Sequence, residues 1–411
     1  MDLETELSRV LRDHAVADPV ADPVAPVHSG MRRRRRRQRL QVLGSALAVM
    51  ALAAGTATLV QDHRGGRTLP TPGTSTAVEV GPLVVTDVDL VGQAGFAIGR
   101  FHCDQGECTS LLVSNDGGAT WARRTGQGLP PTCSETVCVQ HVRFANDRVG
   151  YAYSRGLWIT SDSGRTWSRI TTAEVDDLTI SGSTAYRVAT QTPGCRPGCT
   201  YLVQSSEVGS VVWHTLRTEQ ASYAGFLSVH GDRLVLPFYV NHAGGSDAPN
   251  LVLRSLDGGR TWDTAADPCR PTTASPVSDV LAFDAGPDTT AVAVCSLRGN
   301  TGPSTVVRST DGGSTWAARG TFAPFPTTAL AVLGPDRVLA VEHVNGDEEH
   351  LMLSTDGGQT FARVATAADG EQFASLRFSS AADGTWLLRD GSGFQRTSDG
   401  GATWTTVRFA G

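Results

Sequence analysis

Three groups of residues in this sequence have the types and spacing for chemistry. The run EHVNGDEEH at 342–350 crowds Glu342, His343, Asp347, Glu348, Glu349 and His350 together, a donor set that could hold a cation. A solvated hairpin tip asks for the same polar composition, so the pattern alone selects neither. The eight cysteines, Cys103, Cys108, Cys133, Cys138, Cys195, Cys199, Cys269 and Cys295, could bind zinc or form disulfides. Their near spacings of four, four and three intervening residues contain no repeated C-x2-C knuckle, so no metal or other cofactor is expected. The third group is a recurring Ser/Thr-x-Asp-x-Gly-x-Thr-Trp segment. Its acids stand singly, without the further acids and closing Glu of a calcium loop.

The elements that position these residues follow from the repetition. The motif occurs at 114–121, 160–167, 255–262, 309–316, 354–361 and 397–404, with Asp116, Asp162, Asp257, Asp311, Asp356 and Asp399 followed by Trp121, Trp167, Trp262, Trp316, Phe361 and Trp404. A degraded copy, SSEVGSVVW, occupies 205–213 with Glu207 in place of Asp and Trp213 as its aromatic residue. The aromatic residues recur every 47 residues or so, the length of a four-stranded propeller blade. Each motif reads as a hairpin: an apolar run enters it, Asp accepts from turn amides, Gly supplies the left-handed backbone, and the aromatic ring folds back over the turn. In the first unit the expected strands are 85–91, 96–102, 109–114 and 120–125.

These segments resemble the Asp-box (BNR) repeats of sialidases, sortilin-type receptors, xyloglucan-degrading propellers and photosystem II assembly factors. FANDRVGY at 144–151 is similar to a blade turn of the assembly-factor group. The resemblance covers 82–411 and implies an all-β, seven-bladed β-propeller of four-stranded antiparallel blades. It implies a structural role for the boxes, on the face away from the ligand.

The N-terminal part has a different character. The chain has 411 residues and a formal charge of -6, and its basic residues are all arginine. The sequence LQVLGSALAVMALAAGTATLV at 40–60 is uncharged and long enough for a bilayer; Arg32 to Arg37 and Arg39 precede it. A single transmembrane helix with a short cytoplasmic tail is therefore expected, with 1–39 inside and the propeller outside. The alternative is a secreted protein released by signal cleavage. Within the tail, 2–14 is amphipathic and the Ala-Asp-Pro-Val repeats that follow read as a linker, as does 61–81. The acidic remainder is a poor partner for nucleic acid.

An even number of cysteines, all beyond residue 100, points to disulfides in an oxidising compartment. The expected pairs are Cys103 with Cys108, Cys133 with Cys138, Cys195 with Cys199 and Cys269 with Cys295, with exchange between the first two pairs left open. These lie on the face opposite the boxes, where long loops also gather. His242, Asp247, Arg298, His343, Asp347 and Glu349 are the candidate binding residues there. The expected function is a membrane-anchored, non-catalytic scaffold for a protein, peptide or glycan. The alternative, a sialidase-like glycoside hydrolase, needs three convergent arginines and a Tyr-Glu pair. The six tyrosines, Tyr151, Tyr153, Tyr186, Tyr201, Tyr223 and Tyr239, all precede the fifth repeat, and Arg-Ile-Pro and G-x-S-x-G signatures are missing.

Overall fold

The computed structural model describes residues 83–104, 106–134, 136–192, 194–195, 198–239, 251–270, 278–297, 303–322, 327–344, 348–366 and 373–409. Every described residue belongs to the unit Thr76–Gly411. The expected amphipathic helix at 2–14, membrane helix at 40–60 and linker at 61–81 lie outside the described residues. Among the described residues no α-helix forms, and no helix is long and apolar enough to cross a membrane. The expected propeller preceded by a transmembrane helix is thus corrected to an all-β propeller.

The strands are short because turn residues punctuate short apolar runs. The first sheet holds β1 (Val84–Val91), β2 (Ala94–Cys103), β3 (Gly106–Ser114) and β4 (Ala122–Arg124) in chain order. The second holds β5 (Cys138–Phe144), β6 (Gly150–Thr160), β7 (Ser168–Ser181), β8 (Thr184–Thr190), β9 (Cys199–Glu207) and β10 (His214–Ala221). In the third, β11 (Tyr223–Ala224) and β12 (Ser228–His230) both pair β13 (Arg233–Tyr239), followed by β14 (Leu251–Ser255) and β15 (Asp263–Ala265). Three four-stranded sheets complete the fold. They are β16 (Ser278–Ala285), β17 (Ala291–Leu297), β18 (Thr305–Ser309) and β19 (Ala317–Thr321); β20 (Thr327–Val332), β21 (Val338–Val344), β22 (Glu348–Ser354) and β23 (Ala362–Thr366); and β24 (Phe373–Phe378), β25 (Gly384–Leu388), β26 (Gly393–Thr397) and β27 (Thr405–Arg408).

The propeller therefore has six sheets where seven four-stranded blades were expected. The cause is β7, which pairs β6 through Ser168 to Glu174 and then β8 through Val175 to Ser181. Its sequence, SRITTAEVDDLTIS, contains neither Gly nor Pro to break the strand. The strands around the 160–167 turn and those around the degraded 205–213 turn consequently share one six-stranded sheet.

The core fills the interfaces between neighbouring sheets. Phe96, Ile98 and Leu111 of the first sheet pack against Val142, Phe144, Trp158 and Trp167 of the second. Phe96 and Phe144 stack at 3.4 Å between ring centroids. Truncating a residue such as Ile98, which is fully buried, should cost about 2–5 kcal/mol.

Ends of the described chain meet as well. The Arg396 guanidinium donates to the Gly117 carbonyl, Val85 N donates to Gly391 O at 3.1 Å, and Trp121 lies edge-on to Phe394 at 6.1 Å. The last sheet is thereby joined to the first.

Candidate functional site

The turn face is built from self-satisfied aspartates. In the first turn, the Ser114 hydroxyl donates to Asp116 Oδ1 at 2.7 Å, while Thr120 donates through its amide to Oδ1 at 2.9 Å and through its hydroxyl to Oδ2 at 2.6 Å. Gly118 N in turn donates to Ser114 Oγ at 2.8 Å. The same bonds recur around Asp162, Asp257, Asp311, Asp356 and Asp399. Bonds from the Thr four positions on, joined by the Ser or Thr two positions before, hold the carboxyls of Asp116, Asp162, Asp257, Asp311 and Asp399 down at about 2. Asp356 is also held well below the usual carboxylate range.

Arginines of the preceding repeat clasp several of these turns. Arg124 Nη1 donates to Ser163 O at 2.5 Å, Arg254 Nη1 to the carbonyls of Asp311 and Gly312 at 3.1 Å, and Arg337 to those of Asp399 and Gly400. The turns thus fasten neighbouring repeats. Their acids are engaged by the residues of their own turns.

On the opposite side, the four disulfides join Cys103 to Cys108, Cys133 to Cys138, Cys195 to Cys199 and Cys269 to Cys295. Of the candidate binding residues, His242, Asp247, Arg298 and Asp347 lie outside the described residues. His343 and Glu349 are paired across β21 and β22, as are Glu342 and His350. Glu349 is fully buried, accepts from Phe373 N at 2.7 Å, and has His343 Nδ1 at 3.5 Å and Arg389 Nη2 at 3.6 Å. His350 Nε2 lies 2.8 Å from Glu348 Oε1. Where a solvated acidic loop was expected, β21 and β22 continue and place the charges in cross-strand pairs. Among the described residues, no cluster of metal-ligating side chains forms.

A second set of acids lines the inner edge of the propeller. The first strands of successive sheets contact one another, and an edge strand leaves alternate backbone N–H groups without a ladder partner. Aspartates of the preceding strand satisfy these groups. Asp87 accepts from Val142 N at 3.1 Å, Asp89 from Phe144 N at 2.6 Å, Asp177 from Leu227 N at 2.8 Å and Asp284 from Val332 N at 2.7 Å. β1, β5 and β7 each carry a bulge just before this level, at Thr86, Gln140 and Asp176. Thr86 Oγ1 donates to Gln140 O at 2.7 Å, linking two bulges directly.

Asp87 is the hub of this belt. Arg143 Nη1 lies 2.7 Å from its Oδ2, His141 Nδ1 3.5 Å from the same oxygen, and Arg377 Nε 3.5 Å from Oδ1. Burial pushes the Asp87 carboxyl up, but Arg143, Arg377 and His141 outweigh it and hold the group well below its ordinary range. Asp89 and Asp284 go the other way, because burial dominates the hydrogen bonds and cations that oppose it. Tyr153, packed beside His141 and Arg143, is pushed up to about 12 by burial. This is the opposite of an activated phenolate nucleophile. Two arginines therefore converge here, but on an internal aspartate.

At this level Phe226 faces solvent. Asp87 and Asp177 each stand four positions before the last paired residue of their strand, and Phe226 stands in the same place before His230. The contact between Asp177 and Leu227 N confirms that the two strands adjoin there. β11 and β12 are interrupted at 225–227, and the Phe226 ring is left 70% exposed. The sequence reading missed this belt and Phe226. A usable signal was present: VTDVDLV, EVDDLTI and LAFDAG place acids inside otherwise apolar first strands.

These observations define a β-propeller protein with a charged inner edge and a solvent-facing phenylalanine. No protein-family model matches the chain, and no curated protein matches it. Among solved structures it is similar to YCF48 bound to D1 peptide, with 16% identity, a TM-score of 0.54, and 78% of this chain and 95% of that one covered. YCF48 from Cyanidioschyzon merolae gives 15% identity and a TM-score of 0.52 over 78% of this chain and 96% of that one. An ulvan lyase, a polysaccharide lyase bound to GlcA(1-4)Rha3S, gives 10% identity and a TM-score of 0.50 over 80% and 95%. The likeness is one of fold.

Proposed function

We propose that this chain is an extracytoplasmic binding propeller that holds a protein or peptide partner at its inner edge, with Phe226 as the apolar anchor. The carrying observation is the exposure of Phe226. It is the most exposed large hydrophobic residue among those described, and it directly precedes Leu227, whose N–H donates to Asp177 on the adjoining strand. Exposed aromatic rings on a rigid frame are favoured anchors, because they bury much area at little cost in side-chain order. The four disulfides support a location outside the cytoplasm. The solved structure of YCF48 bound to D1 peptide is precedent for a peptide on such a frame. The hydrogen-bonded Asp turns support placing the repeats with the Asp-box group.

Affinity capture from the extracytoplasmic fraction of the source cells, with the full chain as bait, tests this reading. A partner retained by the wild type should be lost by at least about tenfold with Phe226→Ser, since an aromatic hot spot contributes roughly 2 kcal/mol or more. The thermal midpoint should not fall, because the side chain is exposed. Equal retention by both baits would contradict the proposal.

A further inference from the structure

We propose that a recess beside the fourth Asp turn, away from the inner edge, is a subsite for an acidic sugar of the hexuronate class. The recess measures about 500 Å3 and is lined by Ala266, Asp267, Arg270 and Trp316. Its size suits one or two pyranose rings.

Trp316 departs from its counterparts. The indole N–H groups of Trp121, Trp167, Trp262 and Trp404 donate back to the glycine carbonyls of their own turns, at Gly118, Gly164, Gly259 and Gly401. That of Trp316 crosses to Ala266 O at 3.0 Å. Its ring is fixed from behind by Phe283, edge-on at 6.0 Å between centroids. A tryptophan held at both its N–H and its ring edge is a rigid platform for the apolar face of a sugar.

The polar groups are equally fixed. Asp267 Oδ1 accepts from Cys269 N at 3.0 Å, Ala266 N donates to Gly313 O at 3.1 Å, and the disulfide from Cys269 to Cys295 ties the segment to β17. Arg270 differs: its side chain is exposed, and its guanidinium has no hydrogen-bond or ion-pair partner among the described residues. Five N–H donors in a planar fork beside an aromatic platform match a carboxylate carried on a pyranose ring. The cation selects a uronate over a neutral sugar.

Saturation-transfer NMR and calorimetric titration of the full chain with digalacturonate, using cellobiose as the neutral control, test the assignment. Saturable binding of digalacturonate should exceed that of cellobiose by about tenfold, the worth of one charge-assisted contact. Arg270→Ala should remove that preference without lowering the thermal midpoint, because the side chain is exposed, and Trp316→Phe should weaken both sugars. No saturable binding of digalacturonate, equal affinity for the two sugars, or an unchanged preference in Arg270→Ala would each overturn the proposal. Phe226→Ser serves as the independent control and should leave digalacturonate binding unchanged.

Discussion

The aspartates of the turn face and those of the inner edge are the same residue type under opposite regimes. Asp116 and its counterparts are exposed or half-buried, and each is satisfied by residues two before and four after it in the chain. Asp87, Asp89, Asp177 and Asp284 are satisfied by backbone or arginine groups some 48 to 56 positions away, on the next strand around the ring. Local satisfaction makes a turn that can be repeated anywhere. Non-local satisfaction joins one sheet to the next, in a setting where burial magnifies every unmade contact. The difference teaches where function can sit. A turn acid is engaged within its own turn, whereas at the inner edge Phe226 presents an exposed apolar ring.

The sharpest way to break this comparison is to remove one acid of each kind. Asp87→Ala leaves Arg143 buried without its partner and should cost about 3–5 kcal/mol in denaturant unfolding. Asp162→Ala should cost clearly less, since its bonds to Thr166 lie at the surface, where water can replace the acceptor. Equal losses would erase the distinction.

The pH dependence of stability separates the two sets without mutation. The turn acids have folded values near 2, below the ordinary value of about 4, so their contribution is complete above that ordinary value and is lost as pH falls from about 4 toward 2. Asp87 adds to the same loss. Asp89 and Asp284 have raised values, so the folded state holds their protons longer than the unfolded one, and stability declines as pH rises past the ordinary value. Urea unfolding from pH 7 downward should thus show a shallow rise in stability followed by a steep fall below about pH 4. Asp89→Asn should flatten the rise and leave the fall intact; a profile unaltered on the upper arm would remove Asp89 from the account.

The smallest expected effect concerns the second turn. Ser163 has φ of 63°, where the other close copies of the turn place glycine. Ser163→Gly should stabilise the fold by up to about 1 kcal/mol, read as a rise in thermal midpoint. A fall would show that the serine side chain supports the turn in a way its backbone strain does not reveal.

Much of the fold was legible because the turns are local. The Ser114, Asp116, Gly118 and Thr120 bonds all fall within one short segment, so spacing alone announces the hairpin, and the near cysteine pairs are legible for the same reason. The joining of the second and third repeats was not. It depends on β7 continuing through Thr172 and Ala173, where the absence of Gly or Pro is a weak signal beside a regular repeat. Glu349 was misjudged because a run of acids looks solvated until β22 is seen to bury it against Phe373 N. The inner belt was hidden for a further reason: Asp87 and Arg143 meet only once it is known which strands are innermost and where their bulges fall.

Site-specific photo-crosslinking offers the most direct test of binding at the inner edge. A benzophenone side chain would replace Phe226 in one variant and Leu256, which is 59% exposed on the turn face, in another. In cells, position 226 should yield a defined adduct that excess unmodified protein competes away, and position 256 should not. An adduct at 256 with none at 226 would contradict the account and move the binding surface to the turns.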